Sequence, residues 1–212
     1  MQNAFINFLK RTSTMKKILL FALFLTCAGC SSGGFKPINY DLSTSATYPS
    51  INASRNIPNI EIETFTYEPP VSVSQHSISH LGCLPCASDG STSGSTFSQP
   101  IRDIITAEVK AAINETMLKE GPTKCKLTGQ IHLAAFNVMD GDTNVDITYI
   151  LRKKGALLSL KRMPGHYERG AFEFSADVSR WMAEPVRDSV SKLMDNKEFI
   201  DLVNQECKTI KS

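Results

Sequence analysis

The sequence predicts an α+β fold: an antiparallel sheet of about four strands, in the chain order strand, helix, three-stranded meander, helix, with the helices packed on one face. Two stretches of period two and one of helical period carry that prediction. Ile60, Ile62 and Thr64 alternate with Glu61 and Glu63, and Cys125, Leu127, Gly129, Ile131 and Leu133 alternate with Lys126, Thr128, Gln130 and His132. Alternation of that kind marks strands with one wet face. Between the two, Ile101, Ile104, Ile105, Val109, Ala112, Ile113 and Met117 recur at three- and four-residue steps, the apolar stripe of an amphipathic helix.

The chain opens with a different kind of signal. Lys16 and Lys17 follow Met15, Ile18 to Leu25 is apolar, and Cys27-Ala28-Gly29-Cys30 places small residues directly before a cysteine. That succession is the pattern of a bacterial export signal ending in a lipobox, where the thiol is acylated with chains such as palmitate and the preceding peptide removed. Residues 1–29 are therefore expected to be the signal, with Met15 a more natural start than Met1, and Cys30 is expected to carry the lipid. The apolar run is too short to cross a bilayer, which takes about 20 residues, whereas two or more acyl chains make a lasting anchor. Ser31 follows Cys30, and in the lipoproteins of diderm bacteria that this segment resembles, Ser at that place implies sorting to the outer membrane.

Removing residues 1–29 takes away four basic residues and no acid, leaving 19 basic against 21 acidic side chains. A faintly acidic chain of this kind offers no basic patch for nucleic acid. The remaining length suits one domain. Residues 30–56, rich in Ser, Thr, Asn, Gly and Pro, read as the lipidated N-terminus and a flexible tether.

The domain is expected to span 57–207. Its first strand runs through Phe65 and Tyr67 until Pro69-Pro70 stops it, and 69–99 reads as a long Ser/Gly/Cys loop. Ser98 and Pro100 look like a helix start, and Gly121-Pro122 its end. On that helix Arg102, Asp103, Glu108, Lys110, Glu115 and Lys119 are expected to face water. In the following strand Phe136 and Val138 fall on the other parity, which points to a bulge or twist near Ala134-Ala135. Asp140-Gly141-Asp142 turns, Val145, Ile147, Tyr149 and Leu151 alternate, Lys153-Lys154-Gly155 turns again, and Leu158 and Leu160 begin a strand that His166 to Phe174 extends. Val178, Trp181, Met182, Val186, Val190, Leu193 and Met194 are spaced for a second helix, which Pro185 should restart or kink. Phe199, Ile200 and Val203 belong to a short closing helix, and 208–212 is a tail.

This order resembles the small envelope lipoproteins of the YajG type and is similar in plan to the auxiliary lipoproteins of ABC-type lipid transporters. The resemblance rests on Asp146-Ile147-Thr148-Tyr149, on Ser191-Lys192-Leu193-Met194 and on Phe199-Ile200. It implies a membrane-tethered sheet with helices on one face that binds or braces another envelope component, and it brings no catalytic residues with it. The expected function is an outer-membrane lipoprotein facing the periplasm, a non-enzymatic accessory or structural subunit of an envelope assembly. A lipid-handling module of an ABC-type transport system is the first alternative, and a metal-binding or thiol-redox protein the second. The expected partners are the membrane, through the lipid, and an envelope protein.

Four cysteines follow Cys30: Cys83, Cys86, Cys125 and Cys207. In an oxidising compartment an even count reads first as disulfides, and of three possible pairings Cys83 with Cys86 and Cys125 with Cys207 is favoured. The longer closure would contribute about 4 kcal/mol in the loop-entropy picture. His76 and His80 stand near Cys83 and Cys86 at spacings a zinc site could use, but the compartment favours a disulfide over free thiolates. A redox role for Cys83-Leu84-Pro85-Cys86 would want a helix directly after it, and no helical period begins until Ser98. No cofactor or metal is expected, no Gly-x-Ser-x-Gly elbow or Gly-rich phosphate loop is present, and no residue is assigned as catalytic. His132 and His166 read as solvated strand or turn residues, Asp140/Asp142 and Glu61/Glu63 as turn and wet-face acids, and Trp181 with Met182 as core.

Overall fold

The longest strand organises the sheet. In the computed structural model, which describes residues 37–42, 57–69, 74–77, 79–81, 97–117, 123–137, 142–168 and 178–208, all described residues belong to one unit, Pro37–Ser212. Three short segments, β1 (Ile60–Ile62), β2 (Thr66–Tyr67) and β3 (Ser79–Leu81), lie end to end along one side of β4 (Cys125–Asn137). Ile60 pairs with Cys125, Thr66 with Gln130 and Ser79 with Ala135, all parallel. On the other side β5 (Thr143–Lys153) pairs antiparallel with β4, and β6 (Ala156–Tyr167) antiparallel with β5.

The α+β class is as expected, but the sheet is mixed, because β1 to β3 run parallel to β4 where an antiparallel first strand was expected. The helix α1 (Ile101–Asn114) between them explains this. A crossover helix returns the chain to the end from which it set out, so the strands before and after it point the same way. The stretch 69–99 is also not wholly loop, since it supplies β3 and the buried Phe97.

The interruption between β1 and β2 has a packing cause. Phe65 turns into the core at 1 % exposure and lies across Gly129, where an added Cβ would stand 2.5 Å from its ring. Its edge meets Tyr149 at a centroid distance of 5.8 Å. The alternation in β4 slips between Ile131 and Leu133, slightly earlier than Ala134-Ala135, so that Ala134 replaces Leu133 on the buried face. β5 and β6 join through Lys154 and Gly155, at φ 50° and 84°. Positive φ at both positions is the two-residue turn that suits the sheet's twist.

α1 begins without a side-chain cap: Ser98 bonds to Gln99 Oε1 at 2.8 Å instead. It stops at Asn114 rather than at Gly121, because Met117 bridges Ile57 and Thr116 O accepts the Ile57 N–H at 3.0 Å. α2 (Val178–Asp195) is continuous through Pro185, so of the restart or kink expected there the restart does not occur. α3 (Lys197–Glu206) starts at Asn196, whose side chain accepts the Phe199 N–H at 2.9 Å. Ile105, Val109 and Ile113 of α1 and Val186 and Val190 of α2 are buried together with Leu127, Ile131, Ile147 and Leu151 of the sheet. Each such side chain contributes about 1.5–3 kcal/mol on leaving water.

One acid expected in water is buried, and another, partly exposed, turns to a buried partner. Glu108 is fully buried, accepting a hydrogen bond from Tyr40 Oη, and Glu115 pairs with the buried Arg187 at 2.8 Å, joining α1 to α2. Tyr40 and Ile38 belong to the stretch expected to be tether; both are held against the domain.

Candidate functional site

All three helices cover one face of the sheet. The opposite face follows from the registers: Arg152 pairs with Leu157 and Ile150 with Leu160, so a bulge at Leu158 brings Leu157 and Leu160 to the same side. They are 54 % and 58 % exposed, a conspicuous placement for adjacent leucines. Polar groups flank them. Arg162 Nε lies 3.0 Å from both Asp146 oxygens, and a guanidinium nitrogen makes a further contact to Oδ2. The Arg162 hydrogen bond first, then its charge and that of His132, hold the Asp146 carboxyl below the usual carboxylate range against the opposing effect of burial. His132 Nε2 lies 2.8 Å from Thr148 Oγ1, and His166 Nδ1 2.9 Å from Asn144 Oδ1. Toward β1, Lys126 Nζ reaches Glu63 at 2.6 Å and Glu61 at 3.6 Å, and these acids hold its ammonium above the ordinary value. The face thus joins an apolar pair to fixed ion pairs, a surface suited to recognition.

β6 ends the strand order, so its outer edge is open to another chain unless covered. Its second half is covered by α2. Asp188 accepts the His166 N–H at 2.9 Å, Ser189 donates to Met163 O at 2.9 Å, and Lys192 donates to Pro164 O at 3.0 Å. Pro164 has no N–H to offer. The helix approaches so closely that a Cβ on Gly165 would lie 1.8 Å from Pro185 O. Beneath, Tyr149 Oη is 3.0 Å from Ser189 Oγ, and burial pushes the Tyr149 hydroxyl well above its usual value while that bond moderates the rise.

Beside the first half of β6 lies an open groove of about 620 Å³ lined by Leu158, Lys197, Glu198, Asp201, Leu202 and Gln205. Lys161 and Glu198 pair next to it. Its lining joins two leucines to four polar side chains, whereas the space between the sheet and the helices is occupied by the core.

The residues singled out from the sequence fall in different places. Cys125 and Cys207 are joined, their Cα atoms 5.4 Å apart, fastening the end of α3 to the start of β4. Cys30, Cys83 and Cys86 lie outside the described residues, as do the side chains of His80 and Trp181. His76 Nδ1 is engaged 3.2 Å from Phe97 O, and Met182 is buried. Among the described residues no group of three or more His, Cys, Asp and Glu is placed to hold a metal ion. The exposed leucines were missed by sequence reasoning. Their signal was the broken alternation of Leu157-Leu158 followed by Leu160, which marks a bulge.

Fold and face together define an α+β domain with a mixed sheet, helix-covered on one side and open on the other. No family model and no curated relative matches the sequence. Among solved structures the chain is similar to a Xanthomonas campestris protein of the family designated DUF330, at 10 % identity and TM-score 0.50, over 74 % of this chain and 92 % of that one. That likeness is one of fold. A candidate lipoprotein from Caulobacter crescentus matches at 10 % identity and TM-score 0.33, over 50 % and 82 % of the two chains. A PelC dodecamer from Paraburkholderia phytofirmans matches at 14 % identity and TM-score 0.30, over 69 % and 90 %. Both fall below the level at which shared topology supports an argument.

Proposed function

We propose that this chain is a lipid-anchored protein of the outer membrane, facing the periplasm, and that it acts without catalysis as an accessory or structural subunit of an envelope assembly. The signal ending at Cys30 supports the anchor. The observation that carries the accessory role is the helix-free sheet face on which Leu157 and Leu160 stand exposed between ion pairs. A photo-crosslinking residue at position 160 in intact cells should capture one envelope protein reproducibly, while the same residue at the exposed Lys110 on α1 should not. Equal products from both positions would sink the reading.

The lipid-handling alternative would use the groove at Leu158 and Leu202 together with the exposed leucines. Phospholipid co-purifying with the wild-type protein, and lost when Leu158 and Leu202 are both replaced by Ser, would favour it. The metal or redox alternative centres on Cys83 and Cys86, and intact masses with and without reductant separate bonded from free thiols.

A further inference from the structure

The short segment 37–42 is fastened to the domain at several points. Ile38 forms a parallel bridge with Phe97, and its carbonyl accepts the Ser98 N–H at 2.9 Å. Tyr40 N–H donates to Gln99 Oε1 at 3.1 Å, and Gln99 Nε2 donates to Tyr40 O at 3.2 Å, so one glutamine holds both backbone groups of that residue. The Tyr40 ring meets Phe97 edge-on at 6.5 Å, and its hydroxyl donates to the carboxylate of fully buried Glu108. Glu108 stands four residues after Ile104 and four before Ala112, within the apolar stripe of α1. A carboxylate there is costly unless hydrogen-bonded, and Tyr40 supplies such a bond.

We infer that this segment is a strap that sets the working distance between the domain and the bilayer, holding the N-terminal end of α1 toward the lipid surface. The inference rests on lipidation at Cys30. Seven peptide links separate Cys30 from Pro37, and a fully extended chain spans at most about 3.6 Å per residue, so the strap's start lies within about 25 Å of the lipidated residue. Were the chain free as far as Ile57, the same rule would allow about 97 Å. The docked strap therefore turns a long leash into a short one. The surface around Ser98, Gln99 and Arg102, where it enters, is the side that meets the membrane.

The test uses the full lipidated protein. In detergent, hydrogen exchange should show the Tyr40 and Ser98 amides protected, with protection falling about tenfold or more in Tyr40→Ala, as expected for loss of a buried hydrogen bond. Amides unprotected in the wild type would overturn the strap whatever the anchor. In phosphatidylethanolamine/phosphatidylglycerol vesicles carrying a headgroup acceptor dye, a fluorescent residue at position 102 should transfer energy strongly, and one at position 154 weakly. Releasing the strap by Tyr40→Ala, or inserting 20 Gly/Ser residues after Ser32 while leaving the strap intact, should lower the transfer from position 102. The insertion keeps the test valid if Tyr40→Ala does not fold. Unchanged transfer in the insertion variant would overturn the short leash. Cys30→Ser probes the anchor separately: vesicle binding equal to wild type would defeat the lipid reading and leave the exchange result standing on its own.

Discussion

The two faces of the sheet use the same strands for opposite ends. Val145, Ile147, Tyr149 and Leu151 of β5 are buried against the helices, while Asn144, Asp146, Ile150 and Arg152 between them line the open face. On the covered side close contacts leave no room for change, as at Gly165 beneath Pro185 and Gly129 beneath Phe65. On the open side Leu157 and Leu160 stand largely in water, where a substitution is expected to cost little. The difference teaches that alternate residues of one strand meet two different environments, so the exposed set can be altered with little effect on the packed one.

Substitutions can break or sharpen that contrast. Gly165→Ala should be the most damaging, because the new methyl meets backbone rather than a movable side chain; a loss of about 3 kcal/mol or more in chemical denaturation, or no folded protein, is expected. Replacing Cys125 and Cys207 together with Ser should cost about 2–4 kcal/mol, read from denaturation midpoints with the parent measured under both oxidising and reducing conditions. Tyr149→Phe removes the hydroxyl that meets Ser189 and should cost about 1 kcal/mol. Leu160→Glu, on the other face, should change stability by no more than about 0.5 kcal/mol while abolishing crosslinking to the envelope partner. If that variant unfolds the domain, the open face is structural after all.

The smallest effect concerns acid. The Asp146 carboxyl has a folded pKa below its unfolded value, so its contribution is complete above about pH 4 and is lost as pH falls through the lower folded value. Arg162→Met removes the main cause, and the variant's midpoint should therefore fall less than that of the wild type between pH 5 and pH 2.

Much of the covered face was legible in the sequence because burial imposes a period. The stripe from Ile101 to Ile113 and the alternation through β4 and β5 each follow from one side being dry. The direction of β1 to β3 was not legible from alternation, which is the same for parallel and antiparallel pairing; the intervening helix decided it. Tyr40 was hidden because its segment has no period, although Glu108 standing in an apolar stripe was a visible sign that something polar must meet it. The pairing of Asp146 with Arg162 depends on a register set by the Lys154-Gly155 turn and the bulge at Leu158, and a one-residue uncertainty there changes every neighbour.

The bond between Cys125 and Cys207 bears on how the chain matures. A polypeptide that enters the oxidising space N-terminus first presents Cys83 and Cys86 before either of these two. Cys125 and Cys207 stand 82 positions apart in the chain, so the last helix can lock its far end onto the sheet only after nearly the whole domain has emerged.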